Sequence, residues 1–525
     1  MSNDSTWLRL LCEANEPSQF VDAARYATSS IAQSIGLSCE DSHFDADRIW
    51  FGTMVDASTV LGEQMNPILL LIQRQECLDD VGQVRMLEFI INDMKRRPKA
   101  AVLISGPAPP PSEEIQAMRT RSAIHGLDLV VADFADIQQI LQAPEPVRAF
   151  RHLILSQVPL PSPYILTGPV PDAMFFGRGR ELAVILKHFA CGQSCVLIGN
   201  RRIGKTSLLS RLHRITLPAA CWQSIFHSGA TTRTPESFFD APSSYVRQNP
   251  SSDLPCNIGA LLGRASQDSP IVLLLDEADW LVNIDSKEGW PLFTRLRVLM
   301  TSGALRIVLA GGPGLRQSLQ TAGSPLFNSA NEVLLGALDF TDIEALVMAP
   351  LRQLEICLAD VKIVHRVFEL TGGHPQVVQA ICDRLIGALN QAKTRTLTLE
   401  HLQSVMKDLG FQRDCLHVYW ELSTPLERLI SLVMAENATL CTRAAIQCEL
   451  KNRYMLMTKA EAVDAALARL VELRLILRRT GELYQVAVGM FRSVMSGGLA
   501  FEDMKDMLAV RLQDSQKKGG CDITL

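Results

Sequence analysis

Apolar residues in the first 145 positions recur at two periods. Val21, Ala24, Ala27 and Ile31 repeat at helical spacing and predict a helix over 20–35. The continuous apolar run Ile68–Ile72 predicts a buried strand, and further strands are expected over 101–105 and 127–131. Helices are expected over 83–94, 112–125 and 136–141. Strands alternating with helices imply a parallel or mixed sheet with helices packed on it.

A second alternating series begins near residue 194. Strands are expected over 194–198, 223–227, 271–275, 306–310 and 332–335, with helical segments between most of them, again a parallel α/β pattern. From Thr341 the strands stop. Thr341-Asp-Ile-Glu344 has the form of a capping box opening a helix. A helix over 361–370 would be closed by Gly372, Pro375 suits the first turn of a helix reaching 389, and another follows over 399–409. Helices over 425–434, 443–450 and 459–473, the last behind a second capping box at Thr458, precede two short strands, 476–479 and 482–486. Those strands meet at Thr480-Gly481, a hairpin turn, and three helices with a hairpin form a winged-helix pattern.

Prolines set the main boundary. Pro144, Pro146, Pro159, Pro161, Pro163, Pro169 and Pro171 fall close together, and proline both fixes φ and lacks the backbone donor. The expected organisation is therefore an α/β domain over 1–145, a proline-rich linker over 146–172 and an α/β core over 173–340. A helical lid over 341–412, a winged helix over 420–497 and a tail over 498–525 follow. At 525 residues the chain exceeds one ordinary core, which agrees with several domains.

Composition narrows the function classes. A hydrophobic fraction of 47% and a charged fraction of 20% describe a globular chain. The net charge of −5 gives no global field for attracting nucleic acid. No apolar run approaches bilayer length and the first residues are polar, so a cytoplasmic location without membrane contact is expected. The 13 cysteines form no CxxC pair and the histidines no HxxxH or HExxH, so reduced core thiols and no Cys/His metal site are expected.

The strongest chemistry lies at Gly199-Asn200-Arg201-Arg202-Ile203-Gly204-Lys205-Thr206, followed by Ser207. It fits G-x-x-x-x-G-K-[ST] with an apolar strand before it and a leucine-bearing helix after it. The glycines let backbone amides wrap phosphates, Lys205 reaches the β- and γ-phosphates, and Thr206 ligates Mg²⁺. The run Ile271–Leu275 then ends in Asp276 and Glu277, at the edge of a parallel sheet where ligands bind. Asp276 is the expected second Mg²⁺ ligand and Glu277 the group that orients or deprotonates the attacking water. No guanine-reading N/T-K-x-D motif accompanies the loop, which favours ATP over GTP.

Phe175-Phe176-Gly177-Arg178-Gly179-Arg180-Glu181-Leu182 precedes the loop and Thr371-Gly372-Gly373-His374-Pro375 follows the core. With these four motifs in order, residues 174–410 resemble the STAND and archaeal-type branch of the AAA-related P-loop ATPases; origin-recognition-type ATPases share much of the layout. The resemblance implies that Phe176, Gly177 and Arg178 line the adenine side and that Pro375 touches the nucleotide from the lid. His374 reads as a solvent-facing turn residue. The chain departs from the family at Gly311-Gly312-Pro313-Gly314, where many members carry a polar sensor, so the γ-phosphate sensor is unassigned and Arg316 reads as a surface arginine. Slow or partner-dependent hydrolysis would fit that gap.

The expected third helix of the winged pattern sets Lys459 and Arg469 against Glu461, Asp464 and Glu472, and so has no basic face, although Arg474, Arg478 and Arg479 follow. Packing on the ATPase, as in STAND proteins, is the favoured role and DNA contact the less favoured one. The first domain resembles, weakly, the restriction-endonuclease fold of Mrr-type proteins. Asp45, Asp47 or Asp56 would supply its acid, but Gln75 stands where the family has lysine, so a binding-only domain is expected rather than a nuclease. The expected whole is a regulatory switch ATPase with ATP, ADP and Mg²⁺ as ligands and a homo-oligomer forming on activation. A DNA-directed ATPase and a nucleotide-binding scaffold with little turnover are the alternatives.

Overall fold

A computed structural model describes residues 6–14, 16–44, 50–57, 67–73, 98, 100–107, 111–124, 126–242, 257–312, 315–316, 318, 321, 323–420, 423–436, 440–472, 475–480, 482–490 and 499–517. The chain divides into two compact units. One comprises 1–163 with 350–357 and 386–397, the other 164–349 with 358–385 and 398–525.

The first unit is built on a mixed sheet of β1 (Ser38–Phe44), β2 (Trp50–Asp56), β3 (Ile68–Gln73), β4 (Ala100–Ile104) and β5 (Asp128–Ala132), in that order across the sheet. The first three pair antiparallel and the last three parallel. Every residue of β3 and β4 is buried, because helices cover both faces. Ala24, Ala27 and Ile31 of helix Pro17–Ser34 pack with Phe51, Leu70 and Val102 on one face; Met118 of helix Ser112–Ile124 packs with Trp50, Leu71 and Leu103 on the other.

Three expectations for this unit change. Strands β1 and β2 were not foreseen, since β1 reads Ser-Cys-Glu-Asp-Ser-His-Phe and carries no apolar alternation. The first half of the expected linker is helix Pro146–Gln157, with Pro146 at its first turn and Phe150 and Ile154 fully buried. Proline there costs the helix nothing, because a first-turn amide has no intrahelical partner. Third, Asp56 cannot join a site at the end of β3: Trp50 pairs with Gln73 and Val55 with Ile68, which puts Asp56 at the opposite end of the ladder. Asp45, Asp47, Gln75 and the helix expected over 83–94 lie outside the described residues.

The second unit contains an all-parallel sheet of β6 (Cys195–Gly199), β7 (Gln223–Ser228), β8 (Ile271–Asp276), β9 (Leu305–Gly311) and β10 (Asn331–Leu335). Their order is β10-β6-β9-β8-β7, with parallel pairing throughout. Successive residues point to opposite faces. Val196, Leu273 and Leu309 therefore enter one core, and Leu197, Leu274 and Val308 the other. This is the α/β fold with a parallel sheet that the phosphate loop implied.

Helices Phe340–Gln353, Lys362–Thr371, Pro375–Ala392, Leu399–Val405 and Leu409–Trp420 follow the sheet. Asp339 caps the first, accepting from the Asp342 amide at 3.0 Å, so the cap lies two residues before the expected Thr341. Helices Pro425–Glu436, Arg443–Asn452 and Ala460–Glu472 accompany a three-stranded antiparallel sheet in which Leu483–Val486 lies between Cys441–Thr442 and Ile476–Arg479. The expected tail is largely helix Leu499–Lys517, tied to this region by Lys505, which is fully buried and pairs with Glu436 at 2.6 Å. Among the described residues no helix is long and apolar enough to cross a membrane.

Candidate nucleotide site

Strand β6 ends at Gly199 and the chain turns through Arg202 (φ 58°) and Gly204 (φ 100°) into helix Lys205–Arg211. Glycine suits the second of these because a side chain there would be strained. The Lys205 ammonium curls back over the loop, donating to the carbonyls of Gly199 at 2.9 Å and Asn200 at 2.8 Å. Burial lowers its pKa, and the charges of Asp276 and Asp279 oppose that shift. Thr206 Oγ1 donates to Asp276 Oδ2 at 2.5 Å.

Asp276 ends β8 and is buried. Burial raises its pKa, and the hydrogen bonds from Thr206 and from the Glu277 amide pull it back. Glu277, next in sequence, adopts a left-handed conformation (φ 49°) that turns the chain into helix Ala278–Lys287. Its exposed carboxylate accepts from Ser228 Oγ at 2.8 Å, a pairing set by the register that aligns Ser228 of β7 with Asp276. Hydroxyl and carboxylate oxygens are the donors a hard divalent cation takes, so Thr206 and Asp276 fit Mg²⁺.

These groups border one cavity of about 640 Å³. Arg201, Arg202, Ile203, Gly204, Lys205, Thr206 and Ser207 line it, as do Asp276, Glu277, Phe176, Arg178 and Pro375. Gly199 and Asn200 meet the site through the carbonyls that hold Lys205. Gly177 (φ 72°) is not in the lining; it turns the backbone into Arg178.

Residues 191–319 match the AAA domain family. This segment, with its loop and its paired acids, is a P-loop ATPase domain of the AAA type. Several solved structures are similar to the chain. The Walker-type ATPase of Pyrococcus abyssi is 17% identical over 63% of this chain and 99% of its own, with a TM-score of 0.44. The ORC2 protein of Aeropyrum pernix, in ADPNP–ADP complexes, is 12% identical over 64% and 95%, with a TM-score of 0.44. The RuvB Holliday junction branch migration motor of Thermotoga maritima is 13% identical over 59% and 92%, with a TM-score of 0.35. No curated protein matches the chain.

Around the AAA domain's cavity Arg178 and His374 sit differently from expectation. Arg178 is buried and braces the site through main chain: its guanidinium donates to the carbonyls of Ile203 at 3.1 Å and Gly336 at 2.7 Å and pairs with Glu181 at 3.1 Å. Arg316 forms an ion pair with Glu332 and is not in the cavity lining. His374 is buried rather than solvent-facing. Its ring packs edge-on to Tyr419 at 5.1 Å, and burial, aided by the Arg178 charge, lowers its pKa to about 3.

Sequence reasoning missed other groups. Asp279 borders the cavity and accepts from the amides of Gly312 at 2.7 Å and Leu315 at 2.8 Å, just beyond β9. Its position two residues beyond the paired acids was the available signal. Trp280, half-exposed, lines the same wall and donates to the Thr232 carbonyl at 3.1 Å. Gln376 and Gln379 of helix Pro375–Ala392 line it as well, and nothing in the sequence singled them out.

Proposed function

We propose that the chain is a nucleotide-dependent switch ATPase of STAND type, in which Mg²⁺-ATP binding and hydrolysis change how the helical lid and the C-terminal region pack on the AAA domain. The observation that carries this reading is the Thr371–Pro375 turn. Pro375 borders the nucleotide cavity, the Gly373 carbonyl accepts from the Leu338 amide at 2.9 Å, and Tyr419 donates to the Thr371 carbonyl at 2.5 Å. Two residues before this turn, the Glu369 carbonyl accepts from the Gly489 amide at 2.8 Å, just beyond the C-terminal sheet. A nucleotide that moves Pro375 therefore moves contacts of both later regions.

In this mechanism the loop amides and Lys205 bind the β- and γ-phosphates, the ammonium exchanging two carbonyls for phosphate oxygens. Thr206 and Asp276 would hold Mg²⁺, which supplies charge stabilisation to the phosphoryl group in transfer. Glu277 accepts a proton from, or orients, the attacking water, with Ser228 fixing its carboxylate. Phe176 and Pro375 would contact the base side, while Arg178 holds the loop in shape.

Helices 425–436, 443–452 and 460–472 with their three-stranded sheet support the winged-helix reading. A DNA-directed role is weaker because the helix Ala460–Glu472 has no basic face, and the hairpin arginines already have partners: Arg478 pairs with Glu482 at 3.5 Å and Arg479 donates to Gln485 at 3.3 Å. We assign no nuclease role to the first unit. Small-angle scattering and size-exclusion chromatography of the full chain, with ADP and with a non-hydrolysable ATP analogue, test the proposal. A change of shape or assembly, such as a homo-oligomer formed with the analogue, is expected. Identical profiles in the two states would refute the switch.

A further inference from the structure

Residues Tyr164–Val170 run along the cavity without regular secondary structure, yet they are tied at four points. The Tyr164 hydroxyl donates to the Val347 carbonyl at 3.1 Å. The Ile165 amide donates to Gln379 Oε1 at 3.0 Å, Gln376 Nε2 donates to the Leu166 carbonyl at 2.7 Å, and the Val170 amide donates to Ser207 Oγ at 3.2 Å. The strap thus joins two lid helices to the helix of the phosphate loop. Gln376 and Gln379 stand three apart on the helix that Pro375 opens, so they share one face. Both line the cavity, as do Ile165, Leu166, Thr167 and Gly168.

What these ties leave unused is informative. The Leu166 and Thr167 amides and the Ile165 carbonyl make no hydrogen bond to another described residue, although they lie in a wall that also includes Phe176, Leu338 and Leu346. Apolar flanks with a fixed edge of amide and carbonyl suit a planar heterocycle that offers an acceptor beside a donor. Adenine presents a ring nitrogen beside its amino group; guanine presents an oxygen beside a ring N–H, the opposite order. A peptide edge discriminates between them only if it cannot slide. The two glutamines hold it, one by accepting from Ile165 and the other by donating to Leu166.

We propose that Gln379 and Gln376 are positioning residues for base selection, fixing the Ile165–Thr167 backbone so that the cavity takes adenine nucleotides in preference to guanine nucleotides. The inference rests on the nucleotide reading of this site and deepens it. Gln379 is the principal anchor, being 5% exposed, and Gln376 the secondary one. The same two residues would pass base binding into the lid helix.

The test is equilibrium binding of ATP and GTP, each with Mg²⁺, to the full chain by titration calorimetry. The wild type is compared with Gln379→Met, Gln379→Glu and Gln376→Met, and the thermal midpoint of each is recorded. Gln379→Met removes the acceptor at nearly constant volume; about a tenfold loss of ATP affinity with GTP affinity changed less than about twofold is expected. Gln379→Glu retains an acceptor for the Ile165 amide and should restore most of the preference. If Gln379→Met does not fold, Gln376→Met carries the test, with a smaller shift in the same direction. Equal losses for ATP and GTP, or an unchanged ratio, would overturn the inference while leaving the ATP site standing. A wild-type chain that binds neither nucleotide would overturn both.

Discussion

Thr206 Oγ1 and Asp276 Oδ2 lie 2.5 Å apart, joining the phosphate loop to the end of β8 across seventy residues of sequence. The bond exists because β6 and β8 flank β9 in one parallel sheet, so the loops leaving their C-terminal ends face a common space. It also supports a buried carboxylate whose pKa burial raises. Function and stability should therefore diverge at this position.

Asp276→Asn is expected to abolish Mg²⁺-dependent turnover and to raise the thermal midpoint by about 2 °C or more, the scale on which about 1 kcal/mol registers in a domain of this size. The sign follows from linkage. A folded-state pKa above the unfolded value means the folded state binds the proton more tightly, so stability falls as pH rises through that window and stays lowered above it. Calorimetry of the wild type and variant at neutral pH, together with phosphate release, checks both parts.

Glu277→Gln should lower ATP turnover by about 10²-fold or more with ATP affinity changed little, the pattern of a group that acts in the chemical step. Ser228→Ala, which frees the Glu277 carboxylate from its 2.8 Å partner, should lower it only a few-fold. Single-turnover kinetics beside equilibrium binding separate the two effects. Equal loss of binding and turnover in Glu277→Gln would remove Glu277 from the chemistry.

The end of β9 should tolerate no side chain at Gly311. A Cβ there would overlap the Asp279 carboxylate that holds the Gly312 and Leu315 amides. Gly311→Ala is expected to cost about 2 kcal/mol or more and to weaken nucleotide binding. Asp279→Ala should relieve the clash yet leave the two amides without their acceptor, so the double variant recovers only part of the loss. Urea denaturation of the single and double variants measures the coupling.

His374 predicts an acid sensitivity. Its folded pKa of about 3 lies below the ordinary histidine value, so the unfolded chain takes up a proton that the fold refuses. Stability contributed this way is present above about pH 6.5 and declines as pH falls toward 3. The urea midpoint of His374→Phe should fall less than that of the wild type between about pH 6.5 and 5. Parallel pH dependences would show that the imidazole is not held neutral.

Much of this site was legible because its signals are local. The phosphate loop is fixed by glycine and lysine spacing, and β8 by five apolar residues ending in two acids. What escaped depends on distant partners. His374, between glycine and proline, reads as an exposed turn; Tyr419, from a helix not anticipated at 409–420, is what packs against it. Arg178 fits a motif that suggested ligand contact, but the carbonyls of Ile203 and Gly336 occupy its guanidinium. Gln376 and Gln379 look like the polar side of an ordinary helix, and only the strap folded against them gives them a task. Strand β1 was hidden for another reason: a polar edge strand has no apolar period to read.

The most direct test of the central claim is ATP hydrolysis by the full chain with Mg²⁺, wild type against Lys205→Ala. Removing the ammonium that sits over the Gly199 and Asn200 carbonyls takes away the principal side-chain cation expected at the phosphates. The account predicts Mg²⁺-dependent phosphate release by the wild type and a loss of about 10²-fold or more in the variant. Phosphate release undiminished in Lys205→Ala would contradict it.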